Sequence, residues 1–131
     1  MNYLLDTHVL IWSYFDYERI SKKVQTILIE EQDILISSVN FWEISIKHNS
    51  GKLSLGMLKP TDLLFKCKED GYLLIPLEHE DAASFCNLSA VYHKDPFDRM
   101  LIWQAIQNNY TLITNDDNIK SYKSEGLKTL W

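Results

Sequence analysis

The sequence is poor in the residues that build disulfide frameworks and nucleotide-binding loops. Its 131 residues include two cysteines and four glycines. Two isolated cysteines, Cys67 and Cys86, exclude a disulfide framework and a zinc quartet, and they predict reduced, buried thiols. The glycines never occur in series, which excludes a Walker loop and a Gly-rich dinucleotide turn.

Long apolar runs and an excess of positive charge are also missing. No run approaches the ~20 apolar residues of a membrane helix, and Asp6 and His8 interrupt the apolar N-terminus, unlike a signal peptide. We therefore expect a cytoplasmic protein that does not contact a membrane. Thirteen Lys and Arg against 18 Asp and Glu give a net charge of -5, which argues against a broad basic face for nucleic acid.

The remaining composition is that of one folded domain spanning residues 1–131. It is 46% hydrophobic and 24% charged, which excludes a disordered tail and a coiled coil. Short apolar runs predict strands, which alternate with segments of helical periodicity. This alternation predicts an α/β fold with three layers, α/β/α, around a central parallel sheet of four to five strands. The strands are expected at residues 3–5, 34–36, 72–75, 110–113 and 127–130.

Capping residues and helix breakers mark the helices between these strands. The helices are expected at residues 9–12 behind an Asp6–Thr7 cap, 21–31, 37–50, 60–70, 80–88 and 95–108. In such folds the functional site lies at the carboxyl ends of the strands. The residues that directly follow each strand are therefore the candidates.

Asp6 and Asp116 directly follow the first and fourth predicted strands. Each could simply cap the helix that comes next. If the two strands are neighbours, however, both carboxylates converge on one edge of the sheet.

Asp98 carries the strongest signal in the sequence. A helical wheel from Pro96 places it on the apolar face, one turn before Leu101 and Ile102. An inward carboxylate is costly unless it is paired or bound to a cation. A capping box with Asp95 explains its position along the helix, but not its inward direction. We therefore favour a functional role for Asp98.

Glu43 repeats this pattern more weakly. It lies on the flank of an apolar stripe that includes Val39 and Trp42, and an exposed Glu43–Lys47 pair is the simpler interpretation. Considered with the other three acids, Glu43 completes a set of four carboxylates on one edge. Oxygen-only clusters suit Mg²⁺ or Mn²⁺, and such ions hydrolyse phosphodiesters with an activated water.

Four short motifs together resemble a PIN domain, and more narrowly the single-domain VapC-like toxins of bacterial toxin–antitoxin pairs. They are Leu4–His8, Trp42–Ile44, Asp95–Arg99 and Ile113–Asp116. Each motif alone is weak, but the ordered set of acids in a chain of this length is specific. The resemblance extends over essentially the whole chain.

The resemblance implies a Mg²⁺- or Mn²⁺-dependent endoribonuclease, often dimeric, that is inhibited by an antitoxin encoded beside it. The residues that match the family's metal-binding and catalytic acids are Asp6, Glu43, Asp98 and Asp116. On this hypothesis Asp6, Asp98 and Asp116 hold a first ion. Glu43 helps to hold a second ion or orients the water that attacks the RNA phosphate.

Neighbouring residues are candidates for supporting roles. Thr7 and Thr114 could position ligands or phosphate from a second layer around the metal. Arg99 could hold a phosphate or an adjacent acid, or it could have only a surface role. His8 is equally compatible with a contact to RNA and with a structural role. Trp42 is expected in the core or at an interface rather than in contact with a base.

Two other functions remain compatible with the same residues. One is a housekeeping PIN nuclease in RNA processing, although the small size favours the toxin. The other is a non-catalytic module of the same fold that uses its acids to hold a basic peptide. Metal-dependent cleavage of RNA by the pure protein would separate an enzyme from a binding module.

Overall fold

A five-stranded parallel sheet forms the centre of the computed structural model, which describes residues 1–31 and 33–131. The strands, in the spatial order β3-β2-β1-β4-β5, are β1 (Tyr3–Leu5), β2 (Ile34–Ser37), β3 (Leu73–Ile75), β4 (Thr111–Ile113) and β5 (Lys128–Leu130). The predicted parallel sheet and α/β class are confirmed. Helices cover both faces, which explains why the three central strands are fully buried.

The first strand lies at the centre of the sheet. Its Leu4 pairs with Leu35 of β2 on one side and with Leu112 of β4 on the other. Because β1 and β4 are neighbours, the residues that follow them, Asp6 and Thr114, emerge side by side at the carboxyl edge.

Seven α-helices occur in the described residues. They are α1 (Thr7–Phe15), α2 (Lys22–Glu30), α3 (Ser38–Asn49), α4 (Pro60–Glu69), α5 (His79–Ser84), α6 (Pro96–Asn108) and α7 (Asp117–Lys120). Short 3₁₀ turns follow at Tyr17–Arg19, Phe85–Asn87 and Ser121–Glu125. None of the helices in this described part is long and apolar enough to cross a bilayer.

The two faces of the sheet support separate apolar clusters. Leu5 packs in a cluster with residues of α1, α2 and α4, whereas Leu4 packs in a second cluster with residues of α6. Helix α3 contributes Ile44 to the first cluster and Val39 to the second. It also contacts both α1 and α6, so it crosses the carboxyl edge of the sheet between the two layers.

Several local predictions were wrong. The helix expected at residues 80–88 changes to a 3₁₀ turn after Ser84, and the short helix α7 was not predicted. Cys67 is buried as expected, but Cys86 is exposed in the 3₁₀ turn. The buried residue of α5 is Asp81, and Cys86 lies five residues later, off the face that Asp81 marks, so its thiol is exposed.

Candidate metal centre

The β1 and β4 ends place Asp6 and Asp116 on the two sides of Thr114. Asp6 caps α1 by accepting from the Val9 amide at 2.8 Å, and it accepts from Thr114 Oγ1 at 2.5 Å. The Asp116 amide donates to the same Thr114 hydroxyl at 3.1 Å, and the Asp116 carboxylate caps α7. Both acids therefore cap helices, as the simpler interpretation proposed, and Thr114 joins them.

Glu43 lies on α3, close to the other acids. It is buried, with 2% of its surface exposed, and it pairs with Lys47 Nζ through Oε2. Glu43 Oε1 is buried and has no hydrogen-bond partner among the described residues. The Glu43–Lys47 pair considered from the sequence is present, but its expected exposure was wrong, because Glu43 faces inward. Trp42 was expected in the core or at an interface; it is 61% exposed on this single chain, which excludes the core and leaves the interface as a prediction.

The first turn of α6 contributes two acids. Asp95 caps the helix by accepting from the amides of Phe97 and Asp98. Asp98 points inward, with its side chain only 14% exposed. Carboxylate oxygens of Glu43, Asp95 and Asp98 all lie within 4.8 Å of one another, and we call these three residues the acidic cluster. Sequence reasoning treated Asp95 only as a cap and missed its place here, although its position three residues before Asp98 was the available signal.

Burial and repulsion between the acids raise the pKa values of Asp98 and Asp6 at this edge of the sheet. Burial, followed by the negative charges of Asp95, Glu43, Asp6 and Asp116, raises the pKa of Asp98 to about 8. Burial also raises the pKa of Asp6 above its usual range. The negative charges of Glu43, Asp6 and Asp116 thus all act on Asp98. Within the described residues, however, Asp6 and Asp116 do not belong to the acidic cluster, so the expected first-ion set of Asp6, Asp98 and Asp116 stays a prediction.

Lys47 is a cation beside the acidic cluster. Burial alone would lower the pKa of Lys47, but the hydrogen bond and charge of Glu43 raise it, with smaller contributions from Asp95 and Asp98. One ammonium group beside three carboxylates leaves an excess of negative charge.

The candidate supporting residues occupy different environments. Thr7 is buried and accepts from the Asn40 side chain at 3.0 Å, whereas His8 is exposed and stacks on Trp12. Arg99, left open between a phosphate contact and a surface role, is half-buried and donates to the carbonyls of Ala90 and Leu88. Its guanidinium therefore holds a neighbouring loop.

A histidine that the sequence reasoning did not select contacts the acidic cluster. His93 Nε2 lies 3.2 Å from Asp98 Oδ2. His93 is five residues before Asp98 in an irregular segment, where neither periodicity nor a motif predicted the contact.

The donor set fits a hard divalent cation. Carboxylate oxygens are the ligands that Mg²⁺ and Mn²⁺ prefer. The buried, unpartnered Oε1 of Glu43 lacks the compensation that buried polar atoms normally have. A cation between Glu43, Asp95 and Asp98 would supply that compensation and relieve the repulsion that raises the Asp98 pKa.

The chain is similar to known proteins over nearly its whole length. The PIN domain family model matches residues 3–125. The chain is similar to Ribonuclease VapC22 of Mycobacterium tuberculosis, with 20% identity over 128 residues that cover 98% of this chain and 97% of the relative.

Solved structures share the fold. A chain in the crystal structure of VapBC2 from Rickettsia felis bound to a promoter DNA fragment superposes with a TM-score of 0.70 and 19% identity, covering 100% of this chain and 99% of that chain. A chain in the DNA-bound VapBC of Salmonella typhimurium gives a TM-score of 0.68 and 16% identity, with 99% and 97% covered. At these identities the likeness shows the three-layer α/β/α fold.

Proposed function

Because this chain belongs to the PIN domain family, we propose that it is a divalent-metal-dependent endoribonuclease and the toxin of a toxin–antitoxin pair. The relative whose length it shares is named a ribonuclease, and its structural neighbours come from VapBC complexes. The site at the carboxyl edge of the sheet supports this proposal through its chemistry, independently of these names.

The observation that carries the proposal is the buried Glu43 carboxylate. Only one of its oxygens has a protein partner in the described residues, and this oxygen pairs with Lys47. An oxygen buried without a partner costs on the order of 1–3 kcal/mol. Asp95 and Asp98 add carboxylate oxygens within 4.8 Å, which makes this position the natural one for a cation.

Each acid has a proposed role set by its position. Asp98, Glu43 and Asp95 would hold the cation, and Asp6 and Asp116, after β1 and β4, would add negative charge near it. A bound Mg²⁺ or Mn²⁺ supplies an activated water and neutralises charge on the phosphate. Thr114 holds the Asp6 carboxylate in place through its 2.5 Å hydrogen bond.

Basic and aromatic residues beside the acids favour a polyanionic substrate such as RNA. A cleft that contains Asp6 and Asp116 is also lined by Trp12 and Arg19. The Arg19 guanidinium lies 4.4 Å from the centre of the Trp12 ring. A second cleft, next to Glu43, is lined by Lys47 and Lys52. The cations of the two clefts can bind backbone phosphates near the acids.

The remaining parts of the proposal concern partners and location. We propose a cognate antitoxin as the protein partner, because the acidic edge can bind an arginine or lysine of an inhibitor. A homodimer and a cytoplasmic location complete the proposal.

RNA cleavage by the purified protein tests the enzymatic part. With Mg²⁺ or Mn²⁺ we expect cleavage, and with a chelator none. Asp98→Asn should lower the rate on the order of 10²–10³-fold, as removal of one electrostatic group at a reacting centre does. Asp117→Asn is the matched control, because the Asp117 side chain is 99% exposed and should leave the rate unchanged.

Cleavage without metal, or full activity of Asp98→Asn, would contradict the proposed site. Expression in a bacterial host then tests the toxin part. Growth arrest that Asp98→Asn abolishes, and that a small protein encoded beside the gene relieves, supports a toxin. Cleavage in vitro without growth arrest would favour the housekeeping nuclease, and binding of basic peptides without cleavage would favour the non-catalytic module.

A further inference from the structure

His93 is inserted between the acidic cluster and a fully buried tyrosine. Its Nε2 lies 3.2 Å from Asp98 Oδ2, and its Nδ1 lies 3.2 Å from the Tyr122 hydroxyl. Tyr122 is completely buried, and its ring meets the His93 ring edge-on at 5.6 Å. The imidazole is therefore held on both nitrogens and on one side of its ring.

The donors around Tyr122 determine the direction of these hydrogen bonds. Arg99 donates to the Tyr122 oxygen at 2.7 Å, and the Tyr92 amide donates to it at 3.2 Å. Because two donors already occupy that oxygen, the Tyr122 hydrogen is directed toward His93, where it reaches Nδ1 at 3.2 Å and the backbone carbonyl at 3.4 Å. The nearer Nδ1 is the acceptor that we assign. In the neutral ring the proton then resides on Nε2, which donates to Asp98.

Arg99 anchors the start of this chain of hydrogen bonds. Its guanidinium also donates to the carbonyls of Ala90 and Leu88, at 2.8 and 3.2 Å, and lies against the Phe85 ring. An arginine with several partners of fixed direction is a rigid donor. We call the sequence Arg99, Tyr122, His93 the relay.

We propose that His93 is a positioning residue of the metal centre, which orients the Asp98 carboxylate through the relay. This inference rests on the proposed metal-dependent function. The hydrogen bond engages Asp98 Oδ2, so a cation can take the other oxygen without rotation of the carboxylate. Fixing the ligand before the metal arrives removes an entropic cost of binding and keeps the oxygen aimed at the site.

Mn²⁺ binding measured by titration calorimetry on the full chain tests the inference without relying on cleavage. His93→Leu removes both hydrogen bonds and should weaken Mn²⁺ binding roughly 10–100-fold, the usual effect of losing an outer partner of a metal ligand. His93→Gln supplies an N–H and a carbonyl at a similar separation and should restore most of the affinity.

Tyr122→Phe breaks the relay one step further from the metal while the ring stays in place. We expect a smaller loss of Mn²⁺ affinity, on the order of threefold to tenfold, as for one neutral hydrogen bond. Tyr92→Phe is the matched control, because the Tyr92 hydroxyl contacts Ser124 at the surface, 2.7 Å away, and its loss should not change affinity.

Each alternative outcome has a distinct meaning. Equal Mn²⁺ affinity of His93→Leu and the wild type would overturn the positioning role. So would an equal loss in His93→Gln and His93→Leu, since this result indicates ring packing rather than hydrogen bonding. If Tyr92→Phe loses as much as Tyr122→Phe, the relay is wrong. Absence of Mn²⁺ binding by the wild-type protein would instead contradict the proposed function itself. If His93→Leu fails to fold, the Tyr122→Phe and Tyr92→Phe pair decides.

Discussion

Two groups of buried polar side chains lie at the same edge of the sheet, and they are built in opposite ways. The acidic cluster of Glu43, Asp95 and Asp98 crowds like charges together and leaves a buried oxygen without a partner. The second group consists of Ser37, Asn40 and Gln104, and we call it the amide cluster. Its members are neutral and hydrogen-bonded to one another or to the backbone.

Asn40 shows how thoroughly the amide cluster is satisfied. Its amide donates to the Leu5 carbonyl at 3.1 Å and to Thr7 at 3.0 Å, and its oxygen accepts from the Ser37 amide at 2.8 Å. The Ser37 hydroxyl donates to Gln104 at 2.6 Å. The amide cluster thus connects β1, β2, α1, α3 and α6.

The two clusters therefore serve different purposes: the amide cluster stabilises the fold, and the acidic cluster is the candidate for function. Satisfied neutral groups specify how the elements meet and contribute to stability. Crowded carboxylates reduce stability in the absence of a ligand. Groups perturbed in this way occur preferentially at functional sites, where a ligand compensates their charge. Helix α3 carries both kinds, with Asn40 and Glu43 one turn apart.

Replacing the Glu43 carboxylate by an amide should have the largest effect, and that effect is on RNA cleavage. Glu43→Gln keeps the shape of the side chain but removes the charge that the proposed cation needs. We expect RNA cleavage to fall on the order of 10²-fold or more, with a smaller change in the free energy of unfolding than the Asn40 variant below produces. Exposed Glu69→Gln is the control for both measurements. Unchanged cleavage in Glu43→Gln would remove Glu43 from the site.

Truncating a side chain of the amide cluster should lower stability more than it lowers RNA cleavage. Asn40→Ala leaves the Ser37 amide and the Leu5 carbonyl buried without their partner, which costs roughly 1–3 kcal/mol for each orphaned group. Urea unfolding measures this loss. Asn49→Ala, exposed at the end of the same helix, should change stability by about 0.5 kcal/mol or less. If Asn40→Ala is as stable as the wild type, the amide cluster does not contribute to the packing of α3 against the sheet.

The pH dependence of stability tests the acidic cluster without a substitution. The folded protein raises the pKa of Asp98 to about 8 from an ordinary value of 3.8, so folding favours the protonated carboxyl. Without metal, stability should therefore be greatest near pH 4 with respect to this group and decline as pH rises to 8.

Thermal unfolding at several pH values tests this sign. Asp98→Asn should flatten the decline, and Mg²⁺ should stabilise the wild type more at pH 8 than at pH 5, because it binds the deprotonated acids. A metal-free stability that rises steadily across this range, equally in both proteins, would show that Asp98 is not destabilised when charged.

Local sequence rules predicted the elements and part of the site. The strands and the caps Asp6, Ser21 and Asp95 are encoded by neighbours in sequence, and each was found as expected. The inward direction of Asp98 followed from the helical wheel. The convergence of Asp6 and Asp116 needed only the rule that parallel strands end at one edge.

Tertiary contacts decided what the sequence did not predict. The helical spacing placed Glu43 only on the flank of a stripe centred on Trp42, whereas α3 buries Asn40 and Glu43 and leaves Trp42 exposed. The proposed role of His93 depends on Tyr122, 29 residues later in the 3₁₀ turn Ser121–Glu125. Such a contact, between residues far apart in the sequence and outside regular helices and strands, leaves no periodic pattern in a single sequence.

The central position of β1 determines how late in synthesis the acidic edge of the sheet can form. The residue that ends this first strand, Asp6, depends on Thr114, 108 residues further along the chain. Chains are made from the N-terminus, so an emerging polypeptide lacks β4, one of the two neighbours of β1, until Ile113 has left the ribosome. If the protein is a ribonuclease toxin, its own translation is protected from it until the last strands pair.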